Sequence, residues 1–285
     1  MPQNTPEHVM ERIRRRLSEC TPAERSVARL LLAGPLSEAM TSSARLADRA
    51  GVSGPTVSRF VARLGYDGYA EFQDALRADV AAREVGTAEI YQQHVSSGHP
   101  ANPGSPVAQS ISTAVHETLT RVDSAELRSA VELLADVRRP IVSNGGSISH
   151  ITATYLATSL RMLRTGVQDC PPTAPARAAS IADLRKRSVV VLFDYRLYET
   201  AVTEFAQAAR DRGAKVIMVT DPYLSPVAEF ADVVLTAAVD ADTPFEVLSP
   251  TFAVVELLLS GVASALGASA AERVESVSRM TGQWL

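Results

Sequence analysis

Apolar residues recur at helical spacing through the first part of the chain. Phe72, Leu76 and Val80, for example, recur every four residues, which is typical of a helix that buries one face. The same pattern recurs in several short segments up to residue 83. It predicts a compact bundle of about five helices, and Thr21 is predicted to cap one of them.

A different pattern begins after Val107. Short runs rich in β-branched residues alternate with longer helical segments, which predicts a parallel sheet covered by helices on both faces. PIVSNGGSISH predicts a short strand, a Gly-rich turn and the start of a helix, and the further predicted strands lie in RSVVVLFDYR, AKVIMVTDPY and ADVVLTA. The predicted helices are 107–122, 124–137, 151–163, 199–212 and 250–266. The fold class is therefore two domains, an all-α bundle followed by a three-layer α/β domain.

The stretch between the two patterns is rich in Ser, Gly, Pro and Asn and has no apolar period. Residues 86–106 are therefore predicted to be a linker. The predicted boundaries are 1–83 for the helical domain, 84–123 for the linker and lead-in helix, 124–270 for the α/β domain and 271–285 for a C-terminal tail.

The stretch 46–72 contains two short predicted helices joined by a tight turn. Ser43 is predicted to cap the first helix, and Gly51 stands where that helix must end. Ser53 is predicted to cap the second helix, 54–64. This is the pattern of a DNA-binding helix-turn-helix. The alternative is a small helical hairpin inside any α-domain, with solvated arginines.

The second helix of this motif separates an apolar face from a polar one. Its apolar positions predict a stripe facing the core (Val57, Phe60, Val61 and Leu64), whereas Thr and Arg side chains on the other side can contact bases or phosphates. The predicted DNA-binding residues are Ser42, Ser43, Ser53, Thr56, Ser58, Arg59 and Arg63.

Composition and charge narrow the class of protein. The 285 residues are 46% hydrophobic, with no uninterrupted apolar run of the roughly 18 residues that a membrane span needs. The N-terminus lacks the apolar segment of a secretory signal, and the two cysteines have no metal or redox spacing. A cytoplasmic protein without metal or cofactor is expected.

The two parts of the chain differ in net charge. Residues 1–83 carry 12 Arg and 10 acidic residues (+2), and residues 84–285 carry 16 basic and 22 acidic residues (−6). DNA contact is therefore expected at the N-terminal part.

Polar residues follow the predicted strands at the edge where parallel sheets bind ligands. The candidate ligand residues are Ser143, Gly145, Ser147, Asp194, Arg196, Glu199 and Glu246. The glycines can equally serve only a tight turn, the Asp194–Glu199 loop can equally form a salt-bridged interface, and Asp221-Pro222 is a turn signal. Glu246 or His150 as an acid–base catalyst lacks a supporting set of residues with defined roles.

The chain resembles the RpiR family of bacterial transcriptional regulators. The resemblance lies in CTPAERSVARLLL, in SARLADRAGVSGPTVSRFVARLGYDGYAEF and in GAKVIMVTD followed by SPVAEFADVVL. It implies an N-terminal helix-turn-helix domain and a C-terminal sugar isomerase (SIS) domain. It also implies a regulator of carbohydrate metabolism genes that binds a palindromic operator as a dimer or tetramer, with a phosphosugar as effector.

The ligand loops depart from the family pattern. The usual Ser-x-Ser-Gly-x-Thr loop corresponds here to the run from Asp194 to Glu199, and Ser143 replaces the leading glycine of Gly-x-Gly-x-Ser, of which Gly145 and Ser147 match the rest. The resulting hypothesis is that the effector is not a simple sugar phosphate, or that Arg196 holds an anion differently. Two alternatives remain: an SIS isomerase or lyase with a helical appendage, and a regulator whose SIS domain serves only oligomerisation.

Overall fold

The computed structural model describes residues 8–33, 40–84, 87–98, 102, 104–196 and 198–283. The chain forms two compact units, the helical unit (residues 1–87 with 222–224) and the sheet unit (residues 88–221 with 225–285). Each unit has its own apolar core.

The described part of the helical unit contains the predicted bundle. Its helices are α1 Val9–Arg15, α2 Pro22–Ala33, α3 Ser43–Ala50, α4 Gly54–Arg63 and α5 Tyr69–Glu84. Each helix contributes to the core, where the largest side chains less than 2% exposed include Ile13, Leu31, Leu46, Phe60 and Phe72. Burial of these side chains stabilises short helices that would be marginal alone.

Helix α2 begins with a reciprocal capping box. The Glu24 N–H donates to Thr21 Oγ1 (3.3 Å), and the Thr21 N–H donates to Glu24 Oε2 (2.8 Å). Two otherwise unpaired donors are thereby satisfied. Thr21 is the cap that the sequence predicts.

The sheet unit alternates strands and helices as predicted. Its strands are β1 Ile141–Gly145, β2 Val167–Asp169, β3 Val189–Asp194, β4 Lys215–Thr220 and β5 Val233–Thr236. Its helices, within the described residues, are α6 Thr87–Ser97, α7 Pro106–Arg121, α8 Ser124–Ala135, α9 His150–Leu163, α10 Ala174–Asp183, α11 Thr200–Asp211, α12 Ser249–Leu266 and α13 Ala268–Gly282.

All five strands are parallel, in the order β2-β1-β3-β4-β5. Val191 and Phe193 of β3 face a core shared with α8, α9 and α12, while the alternate residues Val190 and Leu192 are equally buried on the other face, where α11 packs on β3 and β4. Strand β2 and helix α10 lie outside the predicted elements.

Helix α12 has the length and apolar composition of a membrane span, with a mean hydropathy of 1.5. In the structure it packs against α7, α8 and α9, and it buries Val254, Val255, Leu258 and Val262 in the core of the sheet unit. The helix therefore serves as a core element here.

Two regions are more helical than the sequence indicates. The predicted linker contains α6, whose Tyr91 ring lies 6.5 Å from the Phe245 ring and whose His94 Nδ1 lies 3.3 Å from Asp242 Oδ1. Residues 271–282 of the predicted tail belong to α13, where Arg273 Nε donates to the Arg161 carbonyl (2.9 Å). In both cases the contacting partners are distant in sequence.

Candidate functional site

Helices α3 and α4 form the helix-turn-helix that the sequence predicts. The cap of α3 is Ser42, whose Oγ accepts from the Arg45 N–H (3.3 Å), so the prediction of Ser43 as the cap is wrong by one residue. Gly51 ends α3 with φ +65°, a conformation that favours glycine. Ser53 is the N-cap residue of α4, but its side chain makes no capping hydrogen bond.

The apolar face of α4 is buried as predicted, but its polar face is not exposed throughout. Val57, Phe60, Val61 and Leu64 are all buried. On the polar side Arg59 is exposed, whereas Thr56 is only 6% exposed. Thr56 therefore lies beneath the surface rather than on it.

Thr56 positions the side chain of Arg59. The Arg59 Nη2 donates to Thr56 Oγ1 (3.2 Å), and Thr56 Oγ1 also pairs with Ser53 Oγ (2.9 Å). A hydroxyl held between two partners fixes where the guanidinium stands. The surface of α4 thus presents a preorganised arginine.

Arg63 contributes to the packing of the bundle. Its Nε donates to Glu24 Oε2 (3.1 Å) and its carbonyl accepts from Arg16. Glu24 is 1% exposed; its burial raises its pKa, but hydrogen bonds from Thr21 and Arg63 outweigh that effect and hold the pKa below its usual value. This ion pair joins α4 to α2.

The predicted serines differ in exposure. Ser42, Ser53 and Ser58 are exposed, and Ser43 is half-buried. Ser58 Oγ donates to the Gly54 carbonyl within its own helix (3.4 Å). Arg45 lies outside the predicted DNA-binding residues but is exposed in the first turn of α3, and its positive charge is the sequence signal for a further phosphate contact.

The second candidate site lies at the carboxyl ends of β1, β3 and β4 in the sheet unit. We call it the strand-edge site and define it by Ser147, Asp194, Arg196, Glu199, Asp221 and Glu246. Gly145 ends β1 where a Cβ would lie 2.7 Å from the backbone nitrogen of His150, so only glycine fits there. Ser143 belongs to the buried sheet, since its Oγ donates to the Ala153 carbonyl (3.0 Å) and its side chain is fully buried.

The loop after β1 is closed by two side chains. The Gly146 N–H donates to Ser149 Oγ (2.8 Å), and Ser149 Oγ donates to the Phe193 carbonyl (2.7 Å). The Ser147 N–H donates to Glu199 Oε1. Glu199 thus bridges the loops after β1 and β3.

Asp194 joins the loop after β3 to the loop after β4. Its carboxylate accepts from the Glu199 N–H (3.2 Å) and from Ser225 Oγ (2.8 Å), and the residue is 2% exposed. Burial raises the pKa of Asp194 to about 7, although these hydrogen bonds oppose the shift.

Asp221 braces the Asp194–Glu199 loop, a role that the turn signal Asp-Pro did not reveal. Its carboxylate accepts from the Arg196 N–H (2.6 Å) and from Tyr198 Oη (2.6 Å). Tyr198 has a φ of +28°, which is strained for a residue with a Cβ. Tyr195, in contrast, is buried in the apolar core.

Arg196 faces carboxylates on the far side of the site. Its Nη2 pairs with Asp240, and its Nε lies 3.7 Å from Glu246 Oε1. The pKa of Glu246 is raised to about 7, first by burial and then by the charge of Asp221, although Arg196 lowers it. Among the described residues, this edge of the sheet therefore carries five carboxylates (Asp194, Glu199, Asp221, Asp240 and Glu246) and the buried guanidinium of Arg196. A second buried guanidinium, that of Arg177, donates to the Gly145 carbonyl (2.9 Å) at the end of β1.

His150 has a carboxylate neighbour that is not evident in the sequence. Its Nε2 lies 3.5 Å from Asp169 Oδ1, and Thr154 Oγ1 donates to Asp169 Oδ2 (3.0 Å). These residues lie on α9 and β2 and are not part of the strand-edge site as defined. Among the described residues, no group of three or more His, Cys, Asp and Glu side chains could hold a metal ion.

Comparison with known proteins gives a consistent result for both units. The profile of the helix-turn-helix domain of the rpiR family matches residues 7–83, and the SIS domain profile matches residues 133–261. The HTH-type transcriptional regulator HexR of Pseudomonas aeruginosa is 26% identical over 259 residues, which are 90% of this chain and 89% of that protein.

Solved structures match the fold. The sugar isomerase domain of an RpiR transcription factor from Sphaerobacter thermophilus matches with a TM-score of 0.54 and 25% identity, over 60% of this chain and 97% of that one. The Vibrio vulnificus NanR protein complexed with ManNAc-6P matches with a TM-score of 0.52 and 19% identity, over 97% and 98% of the two chains. The second similarity bears on the fold alone.

Proposed function

The chain belongs to the rpiR family of transcriptional regulators with a SIS domain, and we propose that it binds operator DNA through Arg59 under the control of a small ligand. In this proposal residues 1–83 bind DNA in the cytoplasm and residues 124–270 hold the ligand at the strand-edge site. The regulated genes are those of carbohydrate metabolism. The chain acts as a homodimer or tetramer on an operator with two half-sites.

The DNA-binding proposal rests on the exposed, preorganised Arg59. An arginine on the second helix of a helix-turn-helix can make a bidentate contact to guanine in the major groove. Thr56 holds that arginine from below, and exposed Ser42 and Ser53 supply hydroxyls for phosphates. Arg63 supports the bundle and is not a base-reading residue in this proposal.

A binding titration tests this role. Duplexes from beside the chromosomal locus are titrated with full-length protein by fluorescence anisotropy. Arg59→Ala should weaken binding to the preferred duplex by about 1–3 kcal/mol, or roughly 5- to 150-fold, and remove the preference for it. Thr56→Val keeps the shape of the side chain but removes the acceptor, so the loss should be smaller.

Arg77→Ala is the matched control because it removes an exposed arginine of α5 that pairs with Asp74 in its own helix. It should leave the sequence preference unchanged. Equal loss of affinity for preferred and unrelated duplexes in Arg59→Ala would show that Arg59 contacts only phosphate. Failure of the unaltered protein to bind any duplex at low salt would contradict the proposal as a whole.

For the ligand, we propose a carbohydrate derivative without a phosphate group. Arg196 already pairs with Asp240 and lies near Glu246, so its charge is compensated within the protein. A phosphate dianion placed here would face several carboxylates at short range, which costs free energy in a partly desolvated site. Hydroxyl or amino groups of a sugar suit carboxylate acceptors.

A thermal-shift panel tests the ligand class. Neutral sugars, amino sugars, and hexose and pentose phosphates are compared at equal ionic strength. A member of the first two groups should raise the melting temperature, and Arg196→Ala should remove that effect by disturbing the loop. Strong stabilisation by sugar phosphates that survives Arg196→Ala would contradict the proposal.

We propose binding rather than catalysis at this site. Asp194, one of the two carboxyl groups with a raised pKa, is enclosed by Ser225 and the Glu199 N–H and is 2% exposed. The Asp194 carboxyl group is thus closed off from solvent in this structure, and Glu246 alone does not make an acid–base pair. Isomerisation of an added aldose or ketose phosphate by the purified protein would contradict this part of the proposal.

A further inference from the structure

The glycine loop after β1 has the local geometry of an anion-binding loop. It lies between a parallel strand and the N-terminus of α9, a position where backbone N–H groups favour negative charge. In this chain two of the loop donors are already used. Gly146 N–H donates to Ser149 Oγ (2.8 Å), and Ser147 N–H donates to the carboxylate of Glu199.

The Glu199 carboxylate lies directly against the loop backbone. A Cβ built on Gly146 would be 2.7 Å from Glu199 Oε1 and 2.9 Å from its Cδ. No other oxyanion can occupy that position while the carboxylate is there, because the two groups would overlap and repel each other.

The backbone of Glu199 is held by a hydrogen bond to a neighbouring loop residue. It is the N-cap residue of α11, and its N–H donates to Asp194 Oδ1 (3.2 Å). Asp194 is in turn held by Ser225 Oγ (2.8 Å). The carboxylate therefore reaches the loop from a backbone that is held in place by hydrogen bonds.

We infer that Glu199 is a specificity-determining residue that fills the anion position of the β1 loop and so excludes ligands with a phosphate or other oxyanion there. This inference rests on the proposed binding of a ligand at the strand-edge site. It names Glu199 as the residue that excludes phosphate and the Ser147 N–H as the backbone group that the Glu199 carboxylate occupies. It also explains how a glycine loop can be retained without binding an anion.

The test is a gain of phosphate binding upon removal of the carboxylate. Full-length protein and the variants Glu199→Ala, Glu199→Ser and Glu199→Gln are melted with increasing inorganic phosphate, against potassium chloride of matched ionic strength. Glu199→Ala and Glu199→Ser expose the Ser147 N–H and should gain a saturable rise in melting temperature of about 3 °C or more. Glu199→Gln keeps an acceptor beside the Ser147 N–H, so phosphate should not bind there and should give no saturable rise in melting temperature.

Glu204→Ala is the control, since Glu204 is exposed on the same α11 helix. It and the unaltered protein should show only the small, non-saturating stabilisation that phosphate gives to proteins in general. Ser147 is exposed, so water can replace the lost carboxylate, and the serine variant provides a second folded protein if the alanine variant is unstable.

Two results would overturn the inference. One is equal, saturable stabilisation of the unaltered protein and Glu199→Ala by phosphate, because the carboxylate would then exclude nothing. The other is no gain in either the alanine or the serine variant, because the loop would then have no anion position. Neither readout uses DNA or a sugar. Failure of the proposed regulatory function would appear in the DNA-binding titration and the sugar panel, and is therefore distinguishable from failure of this inference.

Discussion

The Asp194 carboxyl group joins neighbouring loops, but its burial disfavours the ionised form. Burial raises its pKa to about 7, whereas an exposed Asp side chain titrates near 3.9. Between these two values the folded protein binds more protons at this group than the unfolded chain does. The contribution of the group to stability is therefore greatest below about pH 4 and is lost as the pH rises to 7 and above.

Asp194→Asn should remove that pH dependence. Asn can still accept from the Glu199 N–H, and its amide can donate to Ser225 Oγ, so the loops stay joined. The variant should melt several degrees above the unaltered protein at pH 8, with the gap closing towards pH 5. Thermal unfolding across pH 5–8.5 measures this.

The exposed Asp183 supplies the control for this series, because Asp183→Asn should leave the profile unchanged. A residual slope is expected in Asp194→Asn, since the pKa of Glu246 is also raised to about 7. A variant that is less stable than the unaltered protein at both pH 5 and pH 8 would show that the carboxyl group is needed for packing and that its ionisation costs little.

The helix-turn-helix also shows how far single residues could be predicted. Helical spacing places Thr56, Arg59 and Arg63 on one side of α4, and the sequence offers no reason to separate them. Their contacts in the structure do so, because Arg63 meets Glu24 of α2, which is distant in sequence, and Thr56 lies beneath Arg59 in the same helix. A face is therefore predictable from spacing, but the exposure of each side chain on it is not.

At the scale of elements, predictability follows the strength of the apolar pattern. Strands β1, β3, β4 and β5 are largely buried and each contains β-branched residues, and the sequence reveals each of them. Strand β2 has only three residues, Val-Gln-Asp, and none is fully buried, so it leaves no pattern. Helix α6 is polar and is held by Tyr91 and His94 contacts with the 242–245 segment.

The packing of α12 on α8 predicts that a Gly→Ala substitution lowers the stability of the protein, opposite to its usual effect in a helix. A Cβ at Gly261 would lie 2.6 Å from Val131 Cγ2, and valine has little rotamer freedom in a helix. Gly→Ala in a helix normally stabilises by about 1 kcal/mol, but Gly261→Ala should destabilise the protein by about 1–3 kcal/mol because the two helices are forced apart.

Val131→Ala should reduce the penalty of Gly261→Ala, so that the double variant is more stable than the sum of the single effects predicts. Urea unfolding of the four proteins measures this coupling. Gly282→Ala is the control, since nothing lies within 4 Å of a Cβ at that helical glycine. Strictly additive effects would show that the helices do not touch at this point in solution.

For the whole molecule, its charge distribution and the proposed two-fold symmetry bear on how DNA is bound. Residues 1–83 carry a net charge of +2 and residues 84–285 a net charge of −6. Only the smaller, arginine-rich part can gain from releasing the counterions of DNA, so each subunit should neutralise few phosphates. A regulator with few phosphate contacts per subunit needs two half-sites to bind tightly.

Duplexes with one or two inverted copies of a half-site selected from random DNA should separate these contributions. In the proposed homodimer, the second copy should tighten binding and about double the slope of log K against log salt. Moving the second copy by about 5 base pairs places it on the opposite face of the duplex and should return binding to the one-copy level, whereas a shift of about 10 base pairs keeps the faces aligned.

Fluorescence anisotropy between about 50 and 200 mM KCl gives both the affinity and the slope. Equal affinity and slope for one and two copies would mean that a single helix-turn-helix suffices, and the proposed two-fold arrangement would then be wrong.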